Sequence, residues 1–457
     1  MAAKKGRAAS RGPARRPALA TRAGIRVGVV GWGTIGSGVI RFLRESNEHL
    51  ATRLGAPIEL ARVADLDLKR KRAVRVPKSL LTDDARSILT DPKIDVVVEL
   101  MGGLEPARTF VLEAIRHGKE VVTANKALLA HHGAEIFAAA EEVGVGVGFE
   151  ASVGGGIPII RTLREGISPD EHQAVFGIVN GTANYILSTM AAEGLGFAEV
   201  LAAAQASGLA EADPTYDVDG IDSAHKLALL AQLAFGVSLP LDAIHTEGIR
   251  DVDRVDMAYA RELGYVIKLL AVAKRDGKDI EARVHPTMIP ATDPLGIVDG
   301  AYNAVCVHSR GLERTMYYGQ GAGMMPTATA VVADVLDVAR DRLGRGGPRL
   351  APLGYPIAQQ ITAKVRPIGA IESDYYLRIM VRDEAGVLGK VAGHLGRSGI
   401  SIGSVVQRDR AGRGAVPIVI RTRATREKDL RRALDRVASL PAVKSRPVAI
   451  RIEEAPG

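Results

Sequence analysis

The stretch Ala210–Lys226, AEADPTYDVDGIDSAHK, concentrates the side chains that could do chemistry. It carries Glu211, Asp213, Asp217, Asp219 and Asp222 and ends in Lys226. Pro214 and Gly220 keep its first part out of regular helix. Beyond Gly220 the apolar residues Ile221, Ala224, Leu227, Ala228 and Ala231 recur at helical spacing. Asp222 and Lys226 are then four residues apart on one face, close enough to interact. The lysine sits in the apolar run AHKLALLAQLAF, so its ammonium is expected to be partly buried. A buried lysine beside acids is a tuned proton donor. On an exposed helix the same pair would be a surface ion pair of no consequence.

Such a group needs a scaffold, and the chain supplies one. IRVGVVG (25–31) reads as a buried strand, GWGTIG follows, and SGVIRFLRES reads as a helix. Strand, G-x-G-x-x-G, helix is the dinucleotide-binding context. Gly31 permits the tight turn, Gly33 lets backbone approach a pyrophosphate, and Gly36 allows close helix packing. The amides of Thr34 and Ile35 face the phosphates at the helix N-terminus. The next strand, IELARVADLD (58–67), comes late because of an inserted loop, EHLATRLGAP. Asp65 or Asp67 could accept from a ribose hydroxyl, favouring NAD. Arg62, Lys69, Arg70 and Lys71 could hold a 2′-phosphate, favouring NADP.

Further α/β units follow at 94–100, 119–130 and 145–152. The tetrapeptide TANK, ending in Lys126, falls at the carboxyl end of its strand, where open α/β sheets bind ligands. Residues 25–156 are read as a Rossmann-like nucleotide-binding domain, completed by about 320–343. An α+β substrate-binding and dimerisation domain spans 157–319. Residues 344–373 are Gly/Pro-rich and read as a linker. From 374 to 453 the order is β-α-β-β-α-β, which is ferredoxin-like. There Asp383 and Gly386 sit at a strand-to-helix turn suited to a small carboxylate.

Composition bounds the function. The chain has 457 residues, 47% hydrophobic and 25% charged, as ordinary globular protein does. No apolar run is long enough to span a bilayer. Aromatic content of 4% speaks against base stacking. The single cysteine, Cys306, excludes an internal disulfide and fits a reducing, cytoplasmic setting. The net charge of +8 resides in residues 1–24, which hold Lys4, Lys5, Arg7, Arg11, Arg15, Arg16 and Arg22 and no acid. Without those seven, 53 basic residues face 52 acidic ones. The tail reads as a disordered, solvated extension, with a transit peptide or nucleic-acid arm as lesser readings.

The segments GWGTIG, VVELMGG, VTANKALLA, FEASVGGGIPII, GIVNGTANYIL, GLAEADPTYDVDGIDSAHK and GQGAGMMPTA resemble, in order, those of homoserine dehydrogenases. The end of the chain is similar to an ACT domain through DEAGVLGKVA and its topology. The resemblance implies NAD(P)-dependent interconversion of L-homoserine and L-aspartate 4-semialdehyde, on the route to threonine, methionine and isoleucine. It assigns Lys226 to proton exchange, Asp222 to orienting that site, Glu211 to the substrate ammonium and Asp217 to the pocket. Lys126 falls near nicotinamide and substrate, and Gly321 and Gly323 match a segment returning to the cofactor. Glu150, Val153, Gly155 and Ile157 match the place of a structural monovalent cation, sodium or potassium. An amino-acid effector such as threonine at the ACT domain and a homo-oligomer are also implied.

A semialdehyde dehydrogenase needs a thiolate, and Cys306 lies in the strand-like AVCVHS. An amino-acid-sensing protein with a vestigial nucleotide fold would not need the Glu211, Asp222 and Lys226 set. Asp213 and Asp219 are read as structural. His225 carries no metal-ligand spacing, His172 and His308 are read as structural or exposed, and His131 and His132 are read as following a helix.

Overall fold

A computed structural model describes residues 24–344, 346–407 and 414–454. The basic tail, read as disordered, lies outside the described residues apart from Gly24.

The first layer is a parallel sheet in the order β3-β2-β1-β4-β5-β6. Its strands are β1 (Ile25–Val30), β2 (Ile58–Ala64), β3 (Leu81–Thr82), β4 (Val96–Glu99), β5 (Glu120–Thr123) and β6 (Val147–Gly148). Every residue of β4 and β5 is buried, as expected of parallel strands covered on both faces. The strand order reverses between β1 and β4, and the loops leaving those two strands border a crevice. Helix α1 (Thr34–Glu45) follows β1, α2 (Ala107–Arg116) follows β4 and α3 (Lys126–Val143) follows β5.

The structure departs from the sequence reading at two places in this layer. EHLATRLGAP is not a plain loop: Asn47–Leu54 is helical and buries Leu50 and Leu54. His131 and His132 do not follow a helix but lie within α3.

The substrate domain and the C-terminal domain share one continuous sheet. Its strands are β7 (His172–Ile178), β8 (Tyr265–Asp276), β9 (Asp279–Pro290), β10 (Tyr302–Ser309), β11 (Glu313–Gln320), β12 (Glu372–Arg382), β13 (Ile402–Val406), β14 (Ala415–Thr422) and β15 (Val448–Ile452). They run in the order β11-β10-β7-β8-β9-β15-β12-β14-β13. The join is a short parallel pairing of Thr287 with Arg451 and Met288 with Ile452. Three helices cover the substrate-domain part: α4 (Gly181–Glu193), α5 (Phe197–Ala206) and α6 (Ile221–Phe235). Helix α6 is buried on nearly every face, so it is a core helix.

Helix α7 (Met324–Gly344) returns to the nucleotide-binding layer and packs on α1. The two backbones come close because Gly38 has no side chain; a Cβ there would meet the Ala328 Cβ and the Met324 carbonyl at 2.8 Å. The stretch read as a linker is anchored: Ile361–Thr362 pairs with Val237–Ser238, and Lys364–Val365 pairs with β9. Beyond it α8 (Val387–Arg397) and α9 (Glu427–Ala438) complete the β-α-β-β-α-β unit with β12–β15. Gly386, at φ +83°, caps the strand-to-helix turn.

Candidate active site

The glycine loop after β1 is built as its spacing requires. Gly31 has φ +105°, and a Cβ there would lie 2.6 Å from the Leu100 carbonyl. A Cβ on Gly36 would fall 2.1 Å from the Gly31 carbonyl oxygen, so any side chain would force α1 off the loop. A Cβ on Gly33 would meet nothing within 4 Å, because that position faces open space. The space is a cleft of about 740 Å³ bordered by Gly31, Gly33, Asp65, Arg70, Arg72 and Met101. Thr34 and Ile35 begin α1 beside it, with first-turn amides free of intrahelical acceptors. A cradle that only glycine leaves open at a helix N-terminus fits a dinucleotide's pyrophosphate.

Asp65 is occupied. One of its oxygens accepts from the Trp32 amide at 2.7 Å; the other accepts from the Asp67 amide at 2.9 Å and Arg72 at 2.8 Å. The Arg72 guanidinium also lies 5.5 Å from the Trp32 ring centroid. Asp67 accepts from the amides of Lys69 and Arg70. Arg62 sits on β2, in register with Gly28, and is not among the residues lining the cleft.

The second half of the site converges on Asp222. The first residues of α6 place Asp222 and Lys226 one turn apart, and Lys226 Nζ donates to Asp222 Oδ2 at 2.7 Å. Lys226 Nζ also donates to the Val179 carbonyl at 2.6 Å. Lys126, the first residue of α3, brings its Nζ to 3.1 Å from Asp222 Oδ1. The nucleotide-binding layer and the substrate domain therefore meet at this carboxylate. Burial pushes the Asp222 carboxyl up, but the Lys226 and Lys126 ammonium groups outweigh it and hold it at about 2. Burial pushes the Lys226 ammonium below the usual lysine range, against the opposing pull of Asp222.

Asp217 joins the cluster through Asn180, whose Nδ2 donates to Asp217 Oδ1 at 2.7 Å and Asp222 Oδ2 at 2.8 Å. Beside them the Tyr216 hydroxyl meets His225 Nδ1 at 2.6 Å, and His131 packs edge-on against His225. Burial pushes His225 down to about 4, and His131 adds to the shift. Lys126 Nζ lies 5.5 Å from the Tyr216 ring centroid. Glu211 is exposed, and its carboxylate has no hydrogen-bond or ionic partner among the described residues. Asp213 accepts the Thr215 amide at 3.1 Å, and Asp219 pairs with Arg250.

A third group of predicted residues lies at the junction of the two layers. Both Glu150 carboxylate oxygens accept backbone amides, from Ile160 and Arg161, each at 2.8 Å. The Glu150 amide donates to buried Asp334 on α7. The Val153 and Gly155 carbonyls accept no hydrogen bond among the described residues. Ile157 donates to the Gly154 carbonyl, while its own carbonyl accepts from Ile159. The Gly156 amide donates to Gln320, and a Cβ on Gly155 would touch the Gly321 carbonyl at 2.3 Å, so the two glycine segments abut. Gly323, at φ +128°, leads into α7.

Several site residues were not found by sequence reasoning. Asn180 follows a strand and precedes a helix, an N-cap signal that could have been read. Glu99 is buried at the end of β4, where it accepts from Thr123 and the Met101 amide and shapes the loop lining the cleft. The contacts of Asn180, Glu99 and the Tyr216–His225 pair leave no mark in local spacing. Cys306 is buried and burial pushes its thiol up, which suits a structural thiol rather than a nucleophile.

A glycine-loop parallel sheet whose cleft lies beside a layer holding a buried lysine–carboxylate pair defines a nicotinamide-dependent dehydrogenase. Comparison with known proteins specifies which. A model of the homoserine dehydrogenase NAD-binding domain matches residues 31–150, one of homoserine dehydrogenase matches 158–336, and an ACT domain matches 375–442. Homoserine dehydrogenase of Neisseria gonorrhoeae is 43% identical over 94% of this chain and 98% of its own. That of Pseudomonas aeruginosa is 45% identical over 94% and 99%. A crystal structure of the Thiobacillus denitrificans homoserine dehydrogenase is 44% identical, with TM-score 0.88 over 94% of this chain and 99% of that one. The chain belongs to the homoserine dehydrogenase family. The alternative of a sensing protein with a vestigial nucleotide fold finds no support.

Proposed function

We propose that the chain interconverts L-homoserine and L-aspartate 4-semialdehyde, with Lys226 exchanging the proton at the substrate oxygen. The observation that carries the lysine's role is its donor geometry. An ammonium has three N–H donors; Asp222 and the Val179 carbonyl take two, and the third remains for substrate. A bound nicotinamide cofactor supplies the hydride chemistry. As negative charge builds on the substrate oxygen, Lys226 stabilises it and delivers the proton; in the reverse direction, neutral Lys226 accepts it. Asp222 orients Lys226, and Lys126 offers a second ammonium at the junction. The unpartnered carboxylate of Glu211 is assigned to the substrate ammonium, with Asp217 as a further acid of the pocket.

For the cofactor, Gly31, Gly33, Gly36 and the Thr34 and Ile35 amides would hold the pyrophosphate. Gly321 and Gly323 would approach it from the α7 side. We assign preference to NADP, because Asp65 is already engaged, Arg72 being one of its partners, while the Arg70 side chain borders the cleft. A monovalent cation would be held by the Val153 and Gly155 carbonyls near Glu150 and Ile157. We further propose an amino-acid effector such as threonine at the ACT domain, a homo-oligomer and a cytoplasmic location. No described helix is long and apolar enough to cross a membrane.

Initial rates of homoserine oxidation with each cofactor, with and without threonine, test the reading. Homoserine-dependent NADP reduction is expected; its absence with both cofactors would overturn it.

A further inference from the structure

We infer that Asn180 is a positioning residue of the reaction, whose side-chain amide holds Asp217 and Asp222 side by side and aims Asp222 at Lys226. The inference rests on the reading of Lys226 as the proton-exchanging group.

Asn180 is 5% exposed, between β7 and α4. Its Oδ1 accepts the Ala183 amide at 2.8 Å and so caps α4. That bond fixes the orientation of the amide: the oxygen faces the helix and the NH₂ group faces the two carboxylates. The reverse orientation would set an oxygen against two acids. Asp217 and Asp222 meet one nitrogen at 2.7 and 2.8 Å, so they lie close together. Carboxylates this near repel, and a donor shared between them offsets part of that repulsion. The acceptor on Asp222 is Oδ2, the same oxygen that receives Lys226. One residue earlier, the Val179 carbonyl receives the lysine's other bond. The dipeptide Val179–Asn180 thus orders both members of the pair.

The charged and titratable groups around the pair are Lys126 from α3, Tyr216 and Asp217 from the preceding turn, and His225 on α6, against which His131 packs. Only Asn180 gives Asp222 a neutral donor among the described residues. The residue type carries the distinction: serine, aspartate and asparagine can all cap a helix, but only asparagine also offers the carboxylates an NH₂ group.

The test compares Asn180→Ser, Asn180→Asp and Asn180→Ala in the full-length enzyme, measuring Tm, cofactor Kd, kcat, KM and the pH dependence of kcat. Ser keeps a cap, so its Tm should stay close to wild type; Asp also keeps the cap but sets a third carboxylate against Asp217 and Asp222, so its Tm, like that of Ala, should fall. Ser and Ala should cut kcat by about 10- to 100-fold, the usual effect of losing a hydrogen bond to a charged group. Cofactor Kd should not move. The pH limb assigned to Lys226 should fall in Asn180→Ser, where Asp222 is less firmly held, and rise in Asn180→Asp, where a further negative charge is added. Wild-type kcat and an unmoved limb in both capped variants would overturn the inference. Lys226→Ala separates the two claims: if it keeps full activity, the reading of Lys226 fails; if it is inactive while the Asn180 variants are normal, only this inference fails.

Discussion

Lys226 Nζ and Asp222 Oδ2 lie 2.7 Å apart, one turn from each other on a helix buried on nearly every face. An exposed pair at this spacing is worth a few tenths of a kcal/mol, about 0.2–0.5. Here the side chains are 12% and 4% exposed, and the same spacing instead sets the protonation of a reactive group.

Replacing Lys226 by Ala removes the proton-exchanging group and should lower kcat by about 10²- to 10⁴-fold. Cofactor binding, measured by fluorescence titration, should stay near wild type. Because burial depresses this ammonium, the wild-type kcat profile for homoserine oxidation should rise through a limb below the ordinary lysine value of about 10.4. A limb at or above that value would contradict the burial argument.

Glu211→Gln removes a carboxylate that has no protein partner, so the fold should not feel the change. Homoserine KM should rise at least about tenfold, equivalent to ~1.4 kcal/mol. An unchanged KM would break the assignment of Glu211 to the ammonium.

The two glycines flanking the first turn of α1 should fail in different ways. Gly33→Val points into open space and should keep Tm while raising cofactor Kd about tenfold or more, ~1.4 kcal/mol. Gly36→Val meets the Gly31 carbonyl and should cost stability as well, about 1–3 kcal/mol. Thermal melts with and without cofactor separate the two.

Arg451 ties the C-terminal domain to the substrate domain. It is 2% exposed and makes two bonds to Glu247 at 2.9 Å and two to Glu427 at 2.8 Å. Arg451→Ala leaves two carboxylates behind and should destabilise by about 3–5 kcal/mol. Burial pushes Glu247 up, but His245 and Arg451 outweigh it and hold its carboxyl well below the usual range. Its folded-state value is thus below its unfolded one, so its stabilisation is complete above the unfolded glutamate value of about 4.3 and declines as pH falls further. Denaturant melts from pH 7 to pH 3 should show this loss in the wild type and a shallower one in Arg451→Ala. Equal slopes would refute it.

What the sequence determined by itself is local. The glycine loop, its strand and helix, and the four-residue step from Asp222 to Lys226 follow from turn chemistry and helical period, which act over a few neighbours. The β-α-β-β-α-β order near the end is legible for the same reason. The short helix at Asn47–Leu54 was hidden because its polar composition outweighs two buried leucines. His131 and His132 were misplaced because boundary signals inside an apolar, alanine-rich helix are weak.

Only the tertiary structure decided which residues meet. Lys126 reaches Asp222 across 96 positions of sequence, Asn180 reaches it across 42, and Arg451 reaches Glu247 across 204. None of these contacts has a local signature, because each depends on how the two sheets and α6 stack. The same stacking decided that the C-terminal domain joins the substrate-domain sheet through β15, and that Asp65 is taken up by Trp32 and Arg72. Spacing placed the lysine beside its acid; burial by distant segments made the pair a site.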